Sequence, residues 1–341
     1  MRKYLLPKEG RFYKANLHCH STLSDGDYTP EQLKEHYKSR GYSILAITDH
    51  EWLNEHSYLD DEDFLTITGF ELEVLEPTHL PNKQKKVCHI NFFAKEQKNT
   101  TLFAFNPKHF WSGNREKAKT LKHTGPDDYE RVYSAEGVND ILRLAKENGF
   151  LSCLNHPDWS LQNLDDYRDY DGFTMMEIYN YSSDIDGSYA YAAKDYDNML
   201  RMGKKLFVCA SDDNHDRFAV NHPHHDSFGG FTYIKAPELK YEAVINALEK
   251  GDFYASMGPE IHELYAEDGK IYVKTSPAKR IIMIPKGRNY NCVSAFEGEH
   301  VTEAVFELND LEYEEYFRFE VIDERGRRAA TRAYYLNEIL G

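Results

Sequence analysis

The sequence predicts an α/β fold over about three quarters of the chain, followed by a small antiparallel β-sandwich. Short apolar runs alternate with helical patterns up to residue 256, which is typical of strands joined by helices. Nearly every one of these runs is followed closely by His, Asp or Glu. From residue 257 onward, short β-type runs are separated only by turns.

The bulk composition is that of an acidic globular protein. The 341 residues are 41% hydrophobic, carry a formal net charge of −16 and include five scattered cysteines without CxxC spacing. This charge disfavours nucleic acid polymers and anionic membranes as partners. The cysteines indicate reduced thiols, and no run is long enough to cross a membrane. We therefore expect a soluble, cytoplasmic protein.

Helix and strand signals alternate through the first half of the chain. Thr29-Pro30-Glu31-Gln32 combines an N-cap, a proline at N1 and a glutamine at N3, so a helix begins here and ends near Gly41. Buried strands are predicted over residues 43–48, 64–70 and 86–93.

The same alternation continues to residue 256. Val138, Ile141, Leu142 and Ala145 have helical spacing before Gly149, and further helices are predicted near 188–202 and from Tyr241. Strands are predicted over 150–155, 174–179, 205–210 and 253–256. The β-type runs of the C-terminal region lie at 271–275, 281–284, 304–308 and 316–322.

Polar residues at the strand ends predict a metal site. His18 and His20 have i, i+2 spacing, so on a strand both imidazoles point to one face, with Asp25 on the next loop. A single polar residue after a strand is usually a cap or turn residue, but repetition at six strand ends favours shared metal ligation. The other candidates are His50, Glu71 or Glu73, His89, His156, Asp212 or Asp213, and His215.

Residues 95–134 interrupt the alternation and are rich in Lys and Arg. They form either a solvated excursion or a lid whose cations approach an anionic substrate. Lys117, Lys119 and Lys122 are the candidate cations of such a lid.

Together these motifs resemble the PHP (polymerase and histidinol phosphatase) family of metal-dependent phosphoesterases. The resemblance covers about residues 12–256 through His18-x-His20, Thr48-Asp49-His50, a Gly-x-Glu and an Asp-x-His. It implies a distorted (βα)7-type barrel over residues 1–257, with 95–134 as insertion or lid, and a β-sandwich over 258–341. It also selects Glu71 and Asp213 among the alternatives. The implied ligands are His18, His20, Asp25, His50, Glu71, His89, His156, Asp213 and His215.

The resemblance implies a phosphoesterase with three divalent ions (Zn, Mn or Fe) and a hydroxide held between metals as the nucleophile. Glu71, Asp213 and His215 are its candidate catalytic residues, and His215 or Asp49 the candidate acid for the leaving group. The expected substrate is a small anionic, phosphorylated molecule. A carboxylic ester, carbamate or amide hydrolase is the alternative, and a catalytically silent metal-binding protein is a third hypothesis.

Overall fold

One long mixed β-sheet organises residues 2–340, which are the residues that the computed structural model describes. Its strands lie in the order β14-β13-β16-β17-β10-β9-β2-β3-β4-β5-β6-β7-β8, and β18 pairs with β16. A second sheet has the order β1-β11-β12-β15. The strands are β1 (Lys3–Tyr4), β2 (Arg11–Asn16), β3 (Ile44–Ile47), β4 (Leu65–Leu75), β5 (Val87–Ala94), β6 (Phe150–Leu154), β7 (Met175–Asn180), β8 (Phe207–Ser211), β9 (Phe231–Ala236), β10 (Phe253–Ser256), β11 (Ile261–Glu267), β12 (Lys270–Ala278), β13 (Arg280–Pro285), β14 (Asn291–Ser294), β15 (Val301–Glu307), β16 (Tyr316–Ile322), β17 (Arg328–Thr331) and β18 (Tyr334–Tyr335).

The helices begin where the sequence signals predict. Thr29 caps the first helix through a reciprocal capping box with Gln32. The third buries Val138, Ile141 and neighbouring apolar residues of one face. The helices are α1 (Pro30–Lys38), α2 (Arg115–Ala118), α3 (Ala135–Glu147), α4 (Leu164–Tyr167), α5 (Tyr181–Ile185), α6 (Ala193–Arg201), α7 (Tyr241–Lys250) and α8 (Leu336–Leu340). Within the described chain, no helix is long and apolar enough to cross a bilayer.

The sheet is less regular than a repeating βα barrel. Parallel pairs join β2 with β3, β3 with β4, β6 with β7 and β7 with β8. However, β5 is antiparallel to both of its neighbours, and β9 is antiparallel to β2. Only residues 76–86 join β4 to β5, which is too short for a crossover helix. The structure is thus an α/β fold on a mixed sheet, and it does not confirm the expected (βα)7-type barrel.

The chain after β8 returns to the chain after β2. Cys19 forms a parallel bridge with Asn214, and the His20 amide donates to the Asn214 carbonyl over 3.1 Å. The Asp213 amide donates to the carbonyl of His18 over 2.9 Å. Strands distant in the sheet order therefore bring their following residues to one place.

The C-terminal region is rich in antiparallel strands, as predicted, and is continuous with the rest of the molecule. Side chains of both sheets share one apolar core, with Ile271, Phe306 and Phe319 among its members. β10 pairs with β9 on one side and β17 on the other. β1 pairs with β11, so the first strand of the chain belongs to the C-terminal sheet.

Residues 95–134 contain little regular structure, and only part of the segment is packed. Phe103, Phe105 and Phe110 are buried in the largest apolar core. Arg131 forms a buried bidentate ion pair with Glu51 at 2.6 and 2.7 Å. Most residues of 111–130 between them are exposed. The segment is therefore anchored on both sides of a solvated stretch. All five cysteines are free, as expected, and of these Cys292 is exposed.

Candidate metal centre

The strand-end residues gather at one edge of the sheet. His18 and His20 continue the direction of β2, and their Nε2 atoms lie 3.2 Å apart. Cys19 between them is buried on the other side. His89 is the third residue of β5, yet it reaches the same edge because β5 runs antiparallel to β4 and pairs it with Glu73.

Glu71 occupies the centre of this cluster. Its side chain is only 1% exposed, and its two oxygens lie 3.0–3.6 Å from nitrogens of five imidazoles. Two tetrahedral zinc ligands lie about 3.3 Å apart, so these separations match neighbouring ligands of one ion. With both oxygens engaged, Glu71 has the geometry to bridge two cations. The five imidazoles are those of His18, His20, His50, His89 and His156.

Asp213 joins the cluster from the end of β8. Oδ1 lies 3.1 Å from His18 Nε2 and 3.0 Å from His20 Nε2, and Oδ2 lies 3.6 Å from His156 Nε2. Asp213 and His156 both have positive φ, at 55° and 24°, which non-glycine residues adopt rarely and mainly at functional positions.

Asp25 completes an outer group with His20, His50 and His215. Its Oδ2 lies 3.2 Å from His215 Nε2, and its Oδ1 lies 3.8 Å from His50 Nε2. The His215 Nδ1–H donates to the Asp213 carbonyl over 3.1 Å, which leaves Nε2 as the free ligand atom.

The donor set fits divalent cations. His18 belongs to two further groups of potential ligands, one with His20 and Asp213 and the other with His156 and Glu177. Another group combines Glu71, His89 and His156. Oε2 of Glu71 and Nδ1 of His89 are buried, and although each lies 3.0–3.1 Å from a neighbouring polar atom, neither contact has hydrogen-bond geometry. Buried polar atoms rarely lack partners. Imidazoles and carboxylates converging in this way suit Zn, Mn or Fe.

Glu177 is a candidate supporting residue of the cluster that the sequence did not indicate. It is buried in β7, and its Oε1 accepts from His18 Nδ1–H over 2.8 Å and from the Ser211 hydroxyl. Its Oε2 accepts from the His156 amide over 3.0 Å. A carboxylate behind an imidazole fixes its tautomer and orientation. The available signal was a glutamate inside an otherwise apolar strand, which is rarely buried without a role.

The alternatives left by the sequence occupy different environments. Asp212 accepts the amides of Phe228, Gly229 and Gly230, so its carboxylate holds a loop and faces away from the cluster. The Glu73 side chain is 44% exposed, and its closest cluster atom is His89 Nε2 at 3.4 Å.

Asp49, one candidate acid for the leaving group, is buried, and its carboxylate already accepts several hydrogen bonds. It accepts the amides and hydroxyls of Ser21 and Ser24 at 2.6–3.1 Å. It therefore holds the loop that leads to Asp25 and does not line the cavity.

The electrostatics of the cluster favour cations. Burial disfavours protonation of His18 and His89, but neighbouring carboxylates outweigh it, so the pKa of His18 lies well above its usual value and that of His89 rises to about 10. Burial, followed by the charges of two neighbouring imidazoles, lowers the pKa of His20 to about 4. The carboxylates thus attract protons where they would hold metal ions, and metal binding would displace those protons.

The cluster forms the floor of a cavity of about 450 Å³. Trp159 forms one wall and packs edge-on against His156, with 4.9 Å between ring centroids. Arg217 and Phe218 contribute to the rim, and the Arg217 side chain is 58% exposed and donates to Asp25 over 3.2 Å. Arg217 is the cation of this cavity that the sequence analysis missed.

The lysines proposed for a lid lie elsewhere. Among the residues that line the cavity in the described chain, Lys117, Lys119 and Lys122 do not occur. Lys117 Nζ lies 4.9 Å from the centre of the Trp52 ring, and Lys119 pairs with Glu116 at 2.6 Å.

The PHP domain family model matches residues 16–206, more than half of the chain. The chain belongs to the PHP family. Asp213 and His215 lie beyond the matched residues but join the same cluster.

Two solved structures resemble this PHP protein at low sequence identity. A two-domain protein containing a predicted PHP-like metal-dependent phosphoesterase from Bacteroides vulgatus is 14% identical, with 98% of this chain and 97% of that chain covered and a TM-score of 0.46. An amidohydrolase from Chromobacterium violaceum is 15% identical, with 59% of this chain and 87% of that chain covered and a TM-score of 0.35. No curated protein matches the sequence. Neither likeness bears on activity.

Proposed function

We propose that this protein is a metal-dependent phosphoesterase that hydrolyses a small phosphomonoester or phosphodiester. The observation that carries the proposal is the set of nine converging His, Asp and Glu side chains, seven of which line a cavity of about 450 Å³. That volume suits a small molecule rather than a polymer. Membranes and nucleic acid polymers remain unexpected partners, and a cytoplasmic location remains a prediction.

The charge of the cavity makes the proposed activity depend on metal. Five carboxylates line it, and they repel a phosphate group wherever protons or cations do not neutralise them: Asp25, Glu71, Asp186, Asp213 and Asp226. Divalent ions, when bound, reverse this field and supply an activated water and electrostatic stabilisation of the transition state. Three such ions are proposed, since nine ligands exceed the coordination capacity of one.

The protein side chains hold and orient this site. Glu71 and Asp213 would hold the cations through their carboxylate oxygens. Glu177 fixes the His18 ring so that its Nε2 faces the cluster. His215 presents its Nε2 beside Asp25. Arg217 lies close enough to bind nonbridging phosphate oxygens through paired N–H groups.

The proposal assigns the chain to two domains. Residues 1–257 supply the hydrolase domain, with 95–134 as its insertion, and residues 258–341 form a β-sandwich domain. The candidate ligands all lie in the first region.

The test uses the full chain, stripped with a chelator and reloaded with zinc, manganese or iron(II). We expect release of p-nitrophenol from p-nitrophenyl phosphate or its bis-ester that the chelator abolishes and metal restores. Glu71→Gln should lower the rate by more than about 100-fold, because even the residues behind metal ligands cost about 10–100-fold.

Glu73→Gln is the comparison on the same strand, since the Glu73 carboxylate contacts a single imidazole of the cluster, His89 Nε2 at 3.4 Å. It should cost less than Glu71→Gln, because it removes a carboxylate behind one ligand rather than the central ligand. Turnover of p-nitrophenyl acetate without phosphate-ester turnover would favour the ester, carbamate or amide alternative. Metal loading with neither activity would favour the silent metal-binding protein.

A further inference from the structure

A second cluster of potential ligands lies outside the nine residues discussed so far. His36 on α1 meets Asp216 and His225, both from the loop that follows β8. One donor atom from each residue lies within 4.8 Å of the other two. His36 Nε2 is 3.4 Å from Asp216 Oδ1, and His225 Nδ1 is 4.0 Å from the same oxygen.

The cluster contains polar atoms that nothing in the described chain satisfies. Nε2 of His36 and Nε2 of His225 are both buried without a hydrogen bond, although His36 Nε2 lies 3.4 Å from Asp216 Oδ1. His225 is only 6% exposed, and its Nδ1–H donates to the Phe218 carbonyl over 3.0 Å, so a cation would bind the free lone pair of its Nε2. The 4.0 Å at Nδ1 then shows only how closely the ring approaches Asp216. Two unpartnered imidazole nitrogens beside a buried carboxylate are unusual unless a cation completes them.

The surroundings keep Asp216 in place for ligation. Its carboxylate accepts from Ser227 Oγ over 2.6 Å and from Asn214 Nδ2 over 2.5 Å. The residue has a φ of 54°, so the backbone is held in the sparsely populated left-handed region. A fixed carboxylate with hydrogen-bonded support is typical of metal ligands.

We propose that His36, Asp216 and His225 form a separate zinc site, distinct from the centre on the cavity floor. Two imidazoles and one carboxylate are a ligand set that zinc accepts, and neighbouring ligands of tetrahedral zinc lie about 3.3 Å apart. Three protein ligands leave one position for water. This inference goes beyond the proposed function and does not depend on it.

The position of the site gives the ion a mechanical role. It joins α1 to the loop of residues 216–228, and that loop carries Arg217 and Phe218 to the rim of the cavity. Zinc bound here would restrain the loop, so its occupancy would control the order of the cavity rim.

The experiment counts zinc in the full chain by mass spectrometry after stripping, reloading and desalting. Wild-type protein should bind one equivalent more than His36→Gln and one more than His225→Gln. His222→Gln is the matched control, because His222 is an exposed histidine of the same loop, and it should bind as much as the wild type. Two test variants are used so that misfolding of one leaves the other informative.

A second comparison separates this site from the main centre. Asp213→Asn removes a candidate ligand of that centre, and adding His225→Gln to it should lower the zinc content by one further equivalent. Zinc should also raise the melting temperature of Asp213→Asn more than that of the double variant. Equal zinc content in the wild type, His36→Gln and His225→Gln would overturn the proposal, whether or not phosphoesterase activity is found.

Discussion

The buried pair between Arg131 and Glu51 yields the sharpest prediction about stability. Arg131 donates to both Glu51 oxygens and also to the carbonyls of Glu73 and Ala104 at 2.9–3.2 Å. The two side chains are only 2% and 7% exposed. Arg131→Met would leave the Glu51 carboxylate buried without its counter-charge, which costs about 3–5 kcal/mol.

That loss is a large part of the roughly 5–15 kcal/mol that stabilises a globular protein. Urea-induced unfolding followed by circular dichroism should show it as a midpoint lowered by about 1–1.7 M, at a slope of about 3 kcal/mol per molar. Replacing both partners, with Arg131→Met and Glu51→Met together, should recover part of the loss, because two apolar side chains leave no buried charge.

The control is another ion pair of the same segment. Lys108 and Glu130 also approach to 2.6 Å, but their side chains are 47% and 72% exposed. Exposed pairs contribute about 0–1 kcal/mol, so Lys108→Met should barely move the midpoint. Equal midpoints for Arg131→Met and Lys108→Met would refute the reasoning that burial makes the first pair structural.

Three further predictions concern the site and the core. Glu177→Gln should weaken metal binding by about 10–100-fold in chelator competition, since His18 loses its orienting carboxylate; unchanged affinity would contradict that role. Burial lowers the pKa of Lys14 to about 8 from 10.5, so its charged form destabilises the fold fully below pH 8 and progressively less up to pH 10.5. Lys14→Met should therefore raise the free energy of unfolding at pH 7 by on the order of 1 kcal/mol, since the loss of two cation–π contacts at 4.0 Å offsets part of the gain, and the pH-dependent part should vanish by pH 10.5. Gly230→Ala should lower the melting temperature, because its Cβ would lie 2.3 Å from the Ser211 carbonyl oxygen; an unchanged value would show that the strand end can shift freely.

The sequence predicted the gathering of ligands because strand ends have local signals. An apolar run followed by His or Asp, as before His50 and His156, identifies both the strand and its polar end. Neighbouring strands then bring these ends together. The helices were equally predictable where caps were present, as at Thr29.

The direction of individual strands and the partners of buried side chains were harder to predict from the sequence. The antiparallel direction of β5 depends on pairing between distant segments, although the short connection of residues 76–86 indicated it. Arg131, and none of the three candidate lysines, forms the buried ion pair of residues 95–134. Which cation is buried depended on where an irregular segment packs, and periodicity does not encode that. Glu177 would act by orienting the His18 ring, and the contact between the two side chains exists only in the folded chain.

The pairing of β1 with β11 constrains the order of folding during synthesis. Lys3 and Tyr4 are made long before their partners, Tyr265 and Ala266. At about 5–20 residues per second, the first strand waits roughly 15–50 s for its partner. The hydrolase portion can assemble in that interval, whereas β10 keeps one edge open until β17 has been made. Both sheets therefore close only after β17 has been made, and a chain stalled before that point would expose an unpaired strand edge to its neighbours.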